Sequence, residues 1–127
     1  MFGFGKNRPY RVIHYEGIPG IANDIPCTFE IQNEIFTIHL PQDSNVQLPM
    51  NRIIKFEAMS ENDFMMKYKG TNSLTQYSVP KLYLVVTYKS KESEEKIIVL
   101  WAANFREIQF FRDLQYKYSS ITGNIEL

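Results

Sequence analysis

Residues 82–114 read "LYLVVTYKSKESEEKIIVLWAANFREIQFFRDL", and the spacing of apolar residues changes once within this stretch. "LYLVVTYK" and "KIIVLWAA" are rich in β-branched and aromatic residues, and the charged "SKESEE" between them predicts a β-hairpin. After Asn104, apolar residues recur every three or four positions: Ile108, Phe111, Leu114 and Tyr118. That period is typical of a helix that covers a sheet, and Asn104 with Glu107 predicts a capping box at its start. The stretch therefore predicts two strands followed by one amphipathic helix.

Five more strand-like segments precede this hairpin: "YRVIHY" (10–15), "CTFEIQ" (27–32), "IFTIHL" (35–40), "VQLPMNRIIKFEAM" (46–59) and "FMMKYK" (64–69). Pro49 lacks a backbone N–H, so we expect a sheet edge or an interruption there. No helical segment separates the strands, which argues against a parallel sheet. We predict a mainly β fold with one C-terminal α-helix: a pleckstrin-homology-like, antiparallel, seven-stranded and partly open barrel that the helix caps.

The length of 127 residues fits a single domain with its own core. We expect a flexible basic and aromatic arm at residues 1–9, the folded domain at 10–121 and a short tail at 122–127. Cys27 is the only cysteine, which excludes an internal disulfide, and no stretch resembles a signal peptide or a membrane span. On these grounds we expect a cytoplasmic location.

Two stretches resemble the bacterial pleckstrin-homology-like (PH-like) families, which include the GRAM-type domains. "VQLPMNRIIKFEA" is similar to the Leu-Pro step that leads into their middle strands, and residues 82–114 are similar to their closing hairpin and capped helix. The resemblance covers roughly residues 10–121 and implies seven strands followed by one helix. Trp101 lies in the last predicted strand, whereas the typical tryptophan of eukaryotic PH domains lies in the terminal helix. This difference separates the chain from the phosphoinositide-binding branch.

The charge distribution argues against phosphoinositides and nucleic acids as partners. Fourteen basic residues balance fourteen acidic ones, so the chain has no overall basic field. In the PH-like resemblance, phosphoinositide binders place basic residues in the first long loop, yet residues 16–34 contain four acids and no base. We therefore expect Gly17 and Gly20 of this loop to supply the positive φ angles of a turn, and not a phosphate cradle.

The sequence contains no recognisable catalytic or metal-binding motif. His14 and His39 are the only histidines, and neither has a carboxylate or thiol at ligand spacing, so structural roles are favoured. Cys27 alternates with Phe29 and Ile31 on an apolar face, where a thiol behaves as a small hydrophobic group. We therefore predict a non-enzymatic protein without a cofactor or a metal.

The pattern favours an interaction module that binds a protein partner or a second copy of the chain. Phe64, Met65 and Met66 lie together in "DFMMKYKG", and adjacent methionines occur both in cores and at adaptable binding surfaces. Phe110 lies about 100° away from the apolar stripe of the helix. We therefore add Phe110 and Phe105 to the candidate interface, as exposed aromatic residues.

The N-terminal arm suggests an alternative function, which is peripheral binding to an anionic membrane. Lys6, Arg8 and Arg11 make the arm basic, and Phe2 and Phe4 add aromatic rings. Each basic residue near an anionic surface contributes about 1 kcal/mol, so three of them predict a weak, salt-sensitive contact. A solvated tail explains the same residues, and both interpretations stay open.

Overall fold

The computed structural model describes residues 9–71 and 81–122, with side chains described up to residue 117. The strands are β1 (Tyr10–Glu16), β2 (Ile25–Gln32), β3 (Ile35–Leu40), β4 (Ser44–Pro49), β5 (Ile53–Ser60), β6 (Leu82–Lys89) and β7 (Glu95–Ala102). The helices are α1 (Glu61–Phe64) and α2 (Phe105–Thr122), with 3-10 turns at Pro41–Asp43 and Met50–Arg52 and a π-helical turn at Met65–Lys69.

All seven strands form one antiparallel sheet in the order β4-β3-β2-β1-β7-β6-β5. Strand β1 connects the two halves, because it pairs with β2 on one side and with β7 on the other. Strands β4 and β5 are the two edges and are not hydrogen-bonded to each other, so the sheet is not closed. The prediction of a mainly β, antiparallel, seven-stranded fold with one C-terminal helix is confirmed.

The predicted number of seven strands is correct, but two of the predicted segments do not each form one strand. The predicted segment 46–59 forms two strands, since Pro49 ends β4 and the 3-10 turn Met50–Arg52 separates it from β5. Within β4, Pro49 lies opposite Ile35 at the end of the ladder, where its missing N–H interrupts no further pairing. The interruption expected at Pro49 is therefore confirmed.

The stretch "FMMKYK" is helical, so the strand predicted there is wrong. Ser60 caps the helical segment 61–69, because its Oγ accepts a backbone N–H hydrogen bond at 3.0 Å. A strand would place Phe64, Met66 and Tyr68 on one face. In the helical segment, Phe64 and Tyr68 are four residues apart with their rings 5.3 Å from each other, whereas Met66 is exposed.

The inner face of the sheet holds the main hydrophobic core. Phe36 lies at its centre, with its ring 5.1 Å from that of Phe29 and 6.0 Å from that of Phe56. Helix α2 packs mainly against β5 and also contacts β1 and β6. Phe111 and Leu114, from the predicted apolar stripe, are buried in this core and attach the helix to the sheet.

Strand β6 is buried on both faces, because six consecutive residues, 82–87, are all buried. One face of the strand contributes to the main core under α2, and the other faces the helical segment 61–69. On that outer face the Phe64 ring stacks on Tyr83 at 4.8 Å and meets Tyr15 edge-on at 5.6 Å. Each fully buried leucine or valine contributes about 1.5–3 kcal/mol, so this strand is a major source of stability.

We expect Phe64→Ala to lower the free energy of unfolding by about 3–5 kcal/mol, because it empties the space beside Tyr15 and Tyr83. Met66→Ala is the matched control. The Met66 side chain is 52 % exposed, so its truncation should cost less than about 0.5 kcal/mol. Urea unfolding followed by circular dichroism measures both variants. Equal losses would contradict the packing of the helical segment 61–69 on β6.

Candidate functional site

An open cleft of about 680 Å³ lies on the outer face of strands β7, β1, β2 and β3. The antiparallel register places side chains of neighbouring strands next to one another across this face. Paired residues form two rows: the apolar row Trp101, Ile13 and Pro26, and the polar row Arg11, Thr28 and His39. The cleft therefore combines an apolar floor with a line of hydrogen-bonding groups.

The apolar row is partly accessible to solvent. Ile13 is half-buried and Pro26 is exposed. The Trp101 indole is held in place on two sides: its Nε1–H donates to Asp24 Oδ1 at 3.1 Å, and Lys81 Nζ lies 4.3 Å above the ring. The floor of the cleft is thus a fixed apolar surface in contact with water.

His39 ends the polar row between two acceptor groups. Its Nε2 lies 2.9 Å from Glu30 Oε2, and its Nδ1 lies 2.9 Å from Asn45 Oδ1. The hydrogen bond that His39 donates to Glu30 raises the pKa of His39 above its usual value of 6.5. When the ring is protonated, both of its nitrogens donate and the Glu30 carboxylate balances its charge.

A smaller cleft of about 410 Å³ adjoins the polar row at Arg11 and Thr28. Its wall includes Glu107, which is only 4 % exposed. Glu107 Oε2 accepts a hydrogen bond from the Arg11 backbone N–H at 3.0 Å and one from Arg106 Nη1 at 3.2 Å. The carboxylate predicted to complete a capping box thus connects the start of α2 to β1.

Of the predicted interface residues in the helical segment, only Met66 is exposed. Phe64 is fully buried against β6, so the structure does not place it on the surface that was predicted as an interface. Met65 is half-buried in the same outer cluster. The reason is the helical period, which turns position 64 towards the sheet and position 66 towards water.

The two predicted interface residues of α2 have different environments. Phe105 is 81 % exposed at the start of the helix. Phe110 is half-buried, and its ring stacks on Tyr10 at 4.0 Å with an interplanar angle of 5°. Although Phe110 lies away from the apolar stripe, Tyr10 of β1 covers its ring. The exposure predicted for Phe110 is not observed.

The three residues predicted to contact an anionic membrane are only partly described. Lys6 and Arg8 lie outside the described residues. Arg11 belongs to β1 and lines the cleft on the sheet, not an arm. Among the helices that the structure describes, none has the length and apolar character needed to cross a membrane.

His14 holds the loop between β1 and β2 from the inside. Its ring is fully buried, its Nδ1–H donates to the Ala22 carbonyl oxygen at 3.0 Å, and its Nε2 accepts from the Ile18 N–H at 3.2 Å. Because a carbonyl only accepts and an N–H only donates, these contacts fix one neutral tautomer. His14 therefore has a structural role.

The two glycines of this loop have the predicted positive φ angles, 112° at Gly17 and 83° at Gly20. A Cβ atom at Gly17 would lie 2.4 Å from the carbonyl oxygen of Ile97, so only glycine fits against β7. The loop is a turn that packs on the neighbouring strand.

Cys27 is buried, and burial raises the pKa of its thiol to about 11, so the thiol stays protonated at neutral pH. Over residues 9–71 and 81–122, no three or more His, Cys, Asp or Glu residues are grouped closely enough to hold a metal ion.

The candidate site residues predicted from the sequence do not include the apolar row of Trp101, Ile13 and Pro26. Ile13 has a visible signal, since it alternates with the buried Val12 and His14 and so points to the outer face. Its contact with Trp101 depends on the pairing of β1 with β7, which are distant in the sequence. No local pattern reveals that pairing.

A comparison with protein-family models finds no match, and no curated protein sequence is significantly similar to the chain.

We expect the His39 ring to titrate above pH 6.5, and Glu30→Gln to lower its pKa because the carboxylate that holds the proton is lost. The pair should stabilise the fold most below the usual histidine pKa of 6.5, at pH values where the Glu30 carboxylate is still ionised, and this contribution should vanish as the pH rises through the folded-state pKa of His39. Glu34→Gln, which removes a carboxylate from the turn at the opposite end of β3 from His39, is the control. NMR titration of the ring protons measures each pKa, and equal shifts in both variants would contradict the assignment.

Proposed function

We propose that the chain is a non-enzymatic interaction module of the PH-like type that binds a protein partner through the outer-face cleft. Seven antiparallel strands followed by one helix agree with what the resemblance of residues 46–58 and 82–114 implies. The Leu-Pro step of that resemblance coincides with the boundary between β4 and β5. These agreements support the family assignment within the proposal.

The observation that carries the proposal is the exposed apolar surface at one end of the sheet. Phe105 is 81 % exposed and follows Asn104, which lines the cleft. A phenylalanine ring left in water is unfavourable until a partner covers it. Interfaces are enriched in aromatic residues and arginine. Phe105 directly follows Asn104, which lines the cleft together with Trp101 and Arg11.

The polar groups around the cleft suit binding better than catalysis. The Cys27 thiol is held neutral, and both ring nitrogens of His39 are already hydrogen-bonded to other side chains. Among the described residues that line the cleft, no nucleophile is hydrogen-bonded to a general base. Arg11 and Thr28 provide the few polar groups that orient a ligand on an apolar floor.

Phe105→Asp is expected to weaken binding of the partner about tenfold or more, since it places a charge where an apolar contact is needed. Tyr116→Asp is the matched control, because Tyr116 is 78 % exposed on the same helix but lies about 16 Å further along it, away from the end that adjoins the cleft. A partner protein captured from an extract of the cells that naturally make this chain should bind wild type and Tyr116→Asp equally well, and Phe105→Asp weakly. Affinities are then measured with the purified partner, and circular dichroism checks that both variants are folded.

Three results of this experiment decide between partners. Equal binding by both variants would contradict the proposed surface. Self-association in sedimentation equilibrium that Phe105→Asp abolishes would identify the partner as a second copy. Binding to anionic vesicles that is lost with salt, or on removal of residues 1–8, would favour the membrane alternative through Lys6 and Arg8.

A further inference from the structure

Arg11 lies where the cleft meets its smaller neighbour, and its side chain is exposed. Its backbone N–H donates to Glu107, but its guanidinium makes no hydrogen bond or ion pair with any other described residue. A guanidinium at the edge of an apolar floor binds a carboxylate well, because the two groups match in both charge and geometry.

The neighbouring Arg106 differs from Arg11, because its guanidinium has partners within the protein. Its Nη1 lies 3.2 Å from Glu107 Oε2, and its guanidinium lies 4.0 Å above the Tyr10 ring. Glu107 Oε2 thus already accepts bonds from Arg106 and from the Arg11 backbone. The charge of Arg106 is balanced within the protein, whereas no described residue balances the charge of the Arg11 guanidinium.

Acidic side chains at the borders of the cleft limit the kind of anion that fits. Asp24 is bonded to Trp101 on one side, and Glu30 is bonded to His39 on the other. The Glu30 charge is paired with His39, but Asp24 adds a negative charge at the border. Arg11 is the only lysine or arginine among the described residues that line the cleft, whereas a membrane surface or a nucleic acid is bound by several basic groups together. The charge pattern therefore favours a protein segment over a polyanion.

The size of the cleft fits a short segment. It spans four neighbouring strands, and three strand spacings give a length of about 14 Å. An extended chain covers that distance with about four residues. One large apolar side chain of such a segment would lie on the floor made by Ile13 and Trp101.

We infer that the cleft binds a short extended segment of the partner in which an acidic residue adjoins a large apolar residue. Because neighbouring side chains of an extended chain point to opposite sides, a segment lying between the two rows directs one towards the polar row and the other towards the apolar row. The carboxylate pairs with the Arg11 guanidinium, and the apolar side chain covers Ile13 and Trp101. This inference rests on the proposed function and specifies the chemistry of the partner.

Trp101 is the only tryptophan in the sequence, so its fluorescence reports occupation of the cleft without a label. The probes are the peptide acetyl-Ser-Phe-Glu-Leu-amide and its counterpart with glutamine in place of glutamate. We expect both to shift the emission to shorter wavelength, because the peptide excludes water from the indole. The glutamate peptide should bind about two- to fivefold more tightly, the range expected for one partly exposed ion pair.

Arg11→Gln should abolish the preference for the glutamate peptide, whereas Arg112→Gln should retain it. Arg112 is the matched control because it is also exposed and does not line the cleft. Equal affinities of wild type for the two peptides, or a preference that survives Arg11→Gln, would overturn the role of the carboxylate. No emission change with either peptide up to millimolar concentration would overturn the inference. The proposed function is tested separately, by the binding experiment with Phe105→Asp.

Discussion

Strand β6 has apolar side chains on both faces, and the sheet therefore needs a cover on each side. Helix α2 supplies the inner cover through Phe111. The outer cover is the helical segment 61–69, which places Phe64 against Tyr83. That segment can form directly after β5 because Ser60 caps it at once. The burial of one strand thus explains why the chain leaves the sheet between β5 and β6.

The outer cover is short, and its extent determines where the sheet remains accessible. It reaches β7 and β1 through Val99 and Tyr15, and Trp101 lies at its border. Beyond that border, the outer faces of β1, β2 and β3 form the cleft. Two internal contacts keep this part ordered: His14 holds the first loop, and Glu107 connects α2 to β1. A site built on paired strands in this way presents its groups in fixed positions.

The spacing of apolar residues is a local property. Alternation predicts the strands of the first three segments and of the closing hairpin, and recurrence every three or four residues predicts α2. The spacing fails at "FMMKYK", because a short apolar run has no decisive period, although Ser60 and the acidic residues after it are a helix-start signal. The candidate site is predicted only where exposure follows from a local pattern, as at Phe105. Ile13 and Trp101 meet through pairing between the ends of the chain, which requires knowledge of the topology.

The central claim is that the outer face of the sheet is covered over β6 and accessible over β1 and β2. A soluble paramagnetic probe in methyl NMR measures this difference directly. Broadening of the methyl signals of Ile13 and Thr28, with those of Val85 and Val99 unaffected, is the result that the structure predicts. If the Ile13 and Thr28 signals were as well protected as those of Val85 and Val99, another part of the chain would cover the cleft. It would then not be available to a partner.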